Sequence, residues 1–146
     1  MKLQDFFPYR LAVASEAVSR SIAQVYAERF DLSRDEWRVL AALADLGEIK
    51  TAQVIESATL DKMQVSRAVT RLVGSGLIAR APDPADARGH RLRLLPAGRA
   101  LHRQIVPGVQ AREEFLLSEL LPAERSALQS ALGKVLQRAQ QLSDEG

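Results

Sequence analysis

Asp61-Lys62-Met63-Gln64-Val65-Ser66-Arg67-Ala68-Val69-Thr70-Arg71-Leu72-Val73-Gly74-Ser75-Gly76-Leu77-Ile78-Ala79-Arg80 is the stretch from which the fold can be read. On a helix, Val65, Ala68, Val69 and Leu72 fall at i, i+3, i+4 and i+7, which builds one apolar stripe. Met63, Arg67, Thr70 and Arg71 collect on the opposite side. Asp61 is a good N-cap and Gly74-Ser75-Gly76 a glycine stop, so the helix is short and bounded at both ends. Leu77-Ile78-Ala79-Arg80 then changes to a strand-like apolar run. The pattern predicts a DNA recognition helix followed by the first strand of a β-wing.

Upstream, Thr51 can cap a short helix over Ala52 to Ser57, and Ala58-Thr59-Leu60 turns into the recognition helix. A short helix, a tight turn and a helix with a polar outer face make a helix-turn-helix, a weak signal alone. Downstream, a second extended run covers His90 to Leu95, separated from the first by the Pro-, Asp- and Gly-rich Ala81 to Gly89, as in a hairpin. Arg88 belongs at the projecting end of that wing, where a guanidinium can enter a narrow minor groove. Asp86 is better suited to hold the loop, since phosphate repels a carboxylate.

Helical spacing of Leu11, Ala14, Val18, Ile22, Val25 and Tyr26 predicts a first helix from about Pro8 to Phe30. Ser33-Arg34-Asp35-Glu36 reads as a capping box opening a second helix, which carries Trp37, Leu40, Ala41 and Ala44 and stops at Leu46-Gly47. Glu48-Ile49-Lys50 is a short extended link. After the wing, Pro96 opens a long helical region that Pro107-Gly108 is expected to kink or divide, and Pro122 starts a last helix with Leu128, Leu132, Val135 and Leu136 along one side. The apolar stripes of these terminal helices, with the aromatic cluster Phe6, Phe7 and Tyr9, predict a dimer bundle. The expected fold is mainly α with a small β-wing: a winged helix-turn-helix over 33–95, flanked by dimerisation helices over 1–32 and 96–146.

The 146 residues are 47% hydrophobic and 26% charged, enough for one domain or two closely fused small ones. A net charge of +2 says little, but Lys50 to Arg93 holds eight bases against four acids, leaving the remainder slightly acidic. Without cysteine there is no disulfide framework, thiolate metal site or thiol switch. No signal-peptide pattern is present and no apolar run nears the ~20 residues of a membrane span, so a cytoplasmic protein without a membrane partner is expected. Phosphate-binding glycine loops, nucleophile elbows, metal-binding His pairs and paired carboxylates are all lacking, and His90 and His102 stand alone. No enzyme, metal or cofactor is expected.

The order of parts resembles the multiple antibiotic resistance regulator (MarR) family over nearly the whole chain. The resemblance is carried by Leu32 to Leu40, by Val65 to Leu72, by Gly76-Leu77-Ile78, by Asp86-Ala87-Arg88 in the wing, and by Leu92 to Arg99. In the last of these, Leu95 replaces the threonine with which the family's T-x-x-G opens. The resemblance implies a homodimer reading a pseudo-palindromic operator, a repressor released when a small, often aromatic, ligand enters a cleft. The lack of cysteine argues separately against a peroxide-sensing mechanism. Pro8-Tyr9-Arg10-Leu11 with Glu36-Trp37-Arg38-Val39 is similar to the branch controlling hydroxycinnamate and other aromatic-acid catabolism, implying an aromatic acid or its CoA thioester as effector.

The expected DNA-facing set is Lys62, Met63, Gln64, Ser66, Arg67, Thr70 and Arg71, with Arg88 from the wing. Gln64 suits adenine and Arg67 guanine, whereas Ser66 and Arg71 suit phosphates. For the effector, Arg10 and Arg38 offer charge to an anionic group and Tyr9 and Trp37 offer rings. Trp37 has a second reading as a core anchor. A winged-helix protein-interaction module that never binds DNA is the competing function; the absence of acid between Lys62 and Arg80 speaks against it.

Overall fold

The computed structural model describes residues 1–145. A 3-10 turn, Leu3–Asp5, precedes helices α1 (Phe7–Phe30) and α2 (Arg34–Leu46), strand β1 (Ile49–Lys50), helices α3 (Thr51–Ala58) and α4 (Lys62–Gly74), strands β2 (Ile78–Asp83) and β3 (Asp86–Leu94), and helices α5 (Pro96–Leu117) and α6 (Pro122–Glu145). The predicted mainly helical winged fold is present. The chain divides into two compact units, Met1–Gln110 and Ala111–Gly146. No helix among the described residues is long and apolar enough to cross a membrane.

Local sequence sets the boundaries within the first unit. Pro8 sits in the first turn of α1, and Asp31 ends that helix in the left-handed conformation (φ 53°), its N–H donating to Tyr26 O. At the start of α2, the Glu36 N–H donates to Ser33 Oγ (3.1 Å) and the Ser33 N–H to Glu36 Oε1 (2.9 Å), completing the predicted capping box. Asp61 and Gln64 repeat it at α4, with the Gln64 N–H donating to Asp61 Oδ1 (2.8 Å) and the Asp61 N–H to Gln64 Oε1 (3.0 Å). Gly76 supplies the positive φ (73°) that turns the chain from α4 into the wing.

The predicted stripe of α4 is the centre of the core. Val65, Ala68, Val69 and Leu72 are buried against Val39, Leu40 and Leu43 of α2, Val54 of α3, and Ile78 and Leu92 of the sheet. Tyr26 from α1 and Ile105 from α5 complete this cluster. At roughly 1.5–3 kcal/mol for each fully buried aliphatic side chain, this cluster is the main source of stability for α2 to β3.

Several sequence expectations change. The link Glu48-Ile49-Lys50 contains a strand: β1 pairs with β3 (Ile49 with Leu92, Lys50 with Arg91), giving a three-stranded antiparallel sheet in the order β1-β3-β2. A two-residue strand leaves no periodicity to read. Ala81 to Gly89 is not a long loop, since β2 and β3 run on to a tip at Pro84-Ala85, with an irregularity at Pro82 and Asp83. Pro82 is tolerated because β2 is an edge strand, where a residue without an N–H costs little. Lys50, not Thr51, is the N-cap of α3. Pro107 lies inside a continuous α5, flanked by core-packed Ile105 and Val109, and Gly108 leaves room for Val25. Packing there offsets the hydrogen bond a proline removes.

In the second unit, Arg125 grips Glu114 through Nη2 to Oε1 (2.9 Å) and Nη1 to Oε2 (3.3 Å). The Arg125 guanidinium holds the Glu114 carboxyl below its usual range. None of the described side chains of α6 is buried, and Leu128, Leu132, Val135 and Leu136 form an exposed apolar stripe.

Candidate nucleic-acid interface

With its apolar stripe in the core, α4 turns Lys62, Met63, Ser66, Arg67 and Thr70 to solvent. Met63 is 65% exposed, well beyond what packing would leave an unbranched apolar side chain. Lys62 and Arg67 make no ion pair among the described residues, which leaves their charge available to an external anion. The Thr70 hydroxyl donates to Ser66 O (2.9 Å), so it is spent on its own helix.

Two further members of the predicted set are already engaged. Gln64 is half-buried and its Oε1 is held by the Asp61 N–H; the pairing with adenine expected from sequence therefore requires breaking the cap. Arg71 Nε lies 3.5 Å from Oε2 of the buried Glu36, an ion pair between recognition helix and α2. The phosphate role read for Arg71 competes with that pair.

The wing faces α4 across a cleft of about 500 Å³, lined by Thr51 and Ile55 of α3, Lys62 and Ser66 of α4, and Arg80 and Arg88 of the hairpin. Arg88 is exposed, and its backbone N–H donates to Asp86 Oδ1 (3.0 Å). Asp86 thus shapes the strand that carries Arg88, as its chemistry led us to expect. Arg80 and His90 also line the cleft and were missed as site residues, although Arg80, Arg88 and His90 share an even-numbered alternation in the extended runs.

Side-chain contacts across the sheet fix the wing's position. Thr51 Oγ1 donates to His90 O (3.2 Å) and Arg91 Nη2 to Glu48 O (3.2 Å), tying β3 to both ends of β1. Asp83 is buried, accepts the Ala85 N–H on Oδ1 (3.0 Å), and places Oδ2 3.5 Å from Lys50 Nζ. The Ala85 N–H, reinforced by the Lys50 charge against the opposing effect of burial, holds the Asp83 carboxyl below its ordinary range. Asp83 escaped the sequence reading because the residue it depends on, Lys50, is distant in the chain.

The four predicted effector residues fall at two places. Trp37 and Arg38 line a cleft of about 590 Å³ with Asp45, Ser57 and Thr59. Tyr9 and Arg10 line another, of about 360 Å³, with Gln4 and Val13. The first is the richer in chemistry. Trp37 stacks between Tyr26 (5.5 Å between centroids) and His102 (5.6 Å), and Arg38 Nη2 donates to Ser19 Oγ (3.3 Å). Trp37 therefore serves packing and cleft together. Burial raises the Tyr26 phenol, opposed by Arg38 and Arg34, and burial lowers the His102 imidazole.

Comparison with known proteins agrees with this geometry. A sequence model described as "MarR family" matches residues 30–89, from the end of α1 to the wing. The transcriptional regulator HosA of Escherichia coli O111:H- is 32% identical over 87 residues, 59% of this chain and 64% of HosA; the chain thus spans a little under two thirds of that relative. The structure of Bordetella bronchiseptica BpsR, whose DNA binding is regulated by 6-hydroxynicotinic acid, superposes with a TM-score of 0.73 at 27% identity, covering 86% of this chain and 98% of BpsR. That of a cysteine-to-serine mutant of Escherichia coli MarR complexed with operator DNA gives 0.77 at 25% identity, covering 86% and 90%. Residues 30–89 thus resemble the MarR family, and the fold is similar to that of MarR-family regulators whose structures hold operator DNA or answer to a small aromatic acid.

Proposed function

We propose that the chain is a homodimeric, cytoplasmic repressor that reads a pseudo-palindromic operator and leaves it when a small aromatic acid, or its CoA thioester, binds near Trp37. The observation that carries this reading is the cleft between α4 and the wing, with Lys62, Ser66, Arg80 and Arg88 on its walls. A helix with a solvated polar face enters the major groove, and a basic wing reaches the adjacent minor groove. In this reading residues 33–95 form the reading head, and residues 1–32 and 96–146 join two copies.

Lys62, Met63, Ser66, Arg67 and Thr70 present the major-groove surface, with Gln64 adding its free amide NH₂ and Arg88 the minor-groove contact. Arg67 is the base reader, because a guanidinium can donate two hydrogen bonds to guanine. Operator-bound MarR weighs against the competing interaction module, since a related chain of the same fold holds DNA. BpsR supports an aromatic acid as effector class, and Trp37 with Arg38 offers a ring and a cation on one wall.

Binding-site selection followed by salt-dependent anisotropy tests the proposal. Arg67→Ala is expected to relax one base position at a cost of about 1–3 kcal/mol, and Arg88→Ala to flatten the salt dependence by about one phosphate. Uniform weakening on every sequence would remove Arg67 from base reading. Addition of 6-hydroxynicotinate, a hydroxycinnamate or its CoA thioester is expected to quench Trp37 fluorescence and release DNA, and release without any change at Trp37 would place the effector elsewhere.

A further inference from the structure

Two charged residues are buried among those described, Asp83 and Glu36. Asp83 is accounted for by the wing. Glu36 is only half accounted for: Oε1 serves the cap of α2, but Oε2 faces α4, 3.5 Å from Arg71 Nε. The two partners live in different environments, the Glu36 side chain 6% exposed and the Arg71 side chain 67% exposed. A guanidinium this open, one turn on from Arg67 along α4, is where a phosphate contact would be expected.

We propose that Glu36 is a positioning residue that withholds Arg71 from the DNA backbone and so limits sequence-independent binding. The inference rests on the DNA-binding reading above. Its physical basis is an asymmetry. A carboxylate with little access to water loses much when its cationic partner leaves, because the charge stays desolvated and unpaired. An exposed guanidinium moving to a phosphate gains a screened contact and released counterions, a smaller return at physiological salt. Arg71 therefore stays with Glu36 and contributes less than one full phosphate contact. The same pair fixes α4 against the first turn of α2, so Arg67 is presented from a braced helix. Because phosphate contacts add affinity for every sequence and base contacts for one, withholding a phosphate contact raises the ratio of specific to non-specific binding.

The test uses full-length protein and a fluorescent mixed-sequence duplex, for which no operator need be known. Salt titrations compare the parent, Glu36→Gln, Arg71→Ala and the double variant. Gln keeps an oxygen for the Ser33 N–H but releases Arg71. Glu36→Gln is expected to steepen the slope of log K against log salt by about 0.9 and to raise low-salt affinity several-fold. Arg71→Ala alone is expected to flatten the slope by only a small fraction of that, and the double variant to match Arg71→Ala. An unchanged slope in Glu36→Gln, or a gain that survives in the double variant, overturns the inference. Should Glu36→Gln fail to fold by circular dichroism, Arg71→Ala decides alone: loss of a full phosphate's slope is the contrary result. Failure of the parent to bind any duplex at low salt overturns the DNA reading itself, and this inference with it.

Discussion

The winged-helix segment and the last helix use the same apolar residue types to opposite effect. Between α2 and β3, Val39, Leu40, Val54, Val65, Leu72, Ile78 and Leu92 are all sealed from water within one chain. Along α6, Leu128, Leu132, Val135 and Leu136 recur at the spacing of a continuous stripe, yet each remains at least 41% exposed. The first region satisfies its hydrophobic pattern alone. The second leaves its stripe exposed to water, which is what the proposed dimer requires of it. Periodicity tells which face of a helix is apolar, and only the three-dimensional arrangement tells whether the chain itself buries it.

Paired substitutions put the largest effects on this contrast. Leu92→Ala removes a side chain of zero exposure shared by the sheet and the core, and is expected to lower unfolding free energy by about 2–5 kcal/mol in chemical denaturation. Leu136→Glu is expected to leave the secondary structure and Trp37 environment intact while shifting sedimentation from dimer to monomer at micromolar concentration. If Leu136→Glu instead unfolded the winged region, the two regions would not be independent in the way their burial implies.

Gly98 sharpens the comparison at the junction between wing and α5. A Cβ there would run into the carbonyl oxygen of Leu77, which already accepts the Leu95 N–H at 2.9 Å. Gly98→Ala is expected to cost about 1–3 kcal/mol, because backbone, unlike a flexible side-chain tip, cannot step aside. A thermal melt matching the parent would show that the strand-to-helix corner is softer than its packing indicates. The departure from the family's T-x-x-G at Leu95 removes a side-chain cap, yet α5 still begins at Pro96. The glycine, and not the missing threonine, is the member of that motif on which close packing depends.

What was legible in the sequence were the features written in neighbouring residues. The Ser33 and Glu36 box, the α4 stripe, the proline starts of α5 and α6 and the left-handed Gly76 all depend on partners within a turn or two. The Asp61 and Gln64 box obeys the same rule, and it occupies the amide oxygen that pairing of Gln64 with adenine would need. Other features depend on distant pairs: Glu36 with Arg71, Lys50 with Asp83, Thr51 with His90. Their geometry exists only after the sheet closes and α4 docks on α2. The separation of Tyr9 and Arg10 from Trp37 and Arg38 belongs to the same class, since side-chain chemistry specifies what could bind but not which groups share a wall.

The smallest expected effect concerns His102, which reaches from α5 to stack on Trp37. Burial depresses its imidazole pKa, so the folded state favours the neutral ring. An unfolded chain takes up a proton near the ordinary histidine value, whereas the folded chain resists until a lower pH. The stabilisation is therefore complete above the unfolded value and is lost as pH falls through it toward the folded one. Melting temperature is expected to drop between pH ~7.5 and ~5.5 by slightly more in the parent than in His102→Phe, which keeps a ring against Trp37 without a proton to bind. Continued to lower pH, where the folded chain takes up the proton, the titration is expected to change Trp37 emission in the parent only, since the protonated imidazole would stand 5.6 Å from the indole centroid. Identical pH profiles for the two proteins would mean that the His102 ring is solvated well enough to protonate in place, and that the stack on Trp37 is held by its faces alone.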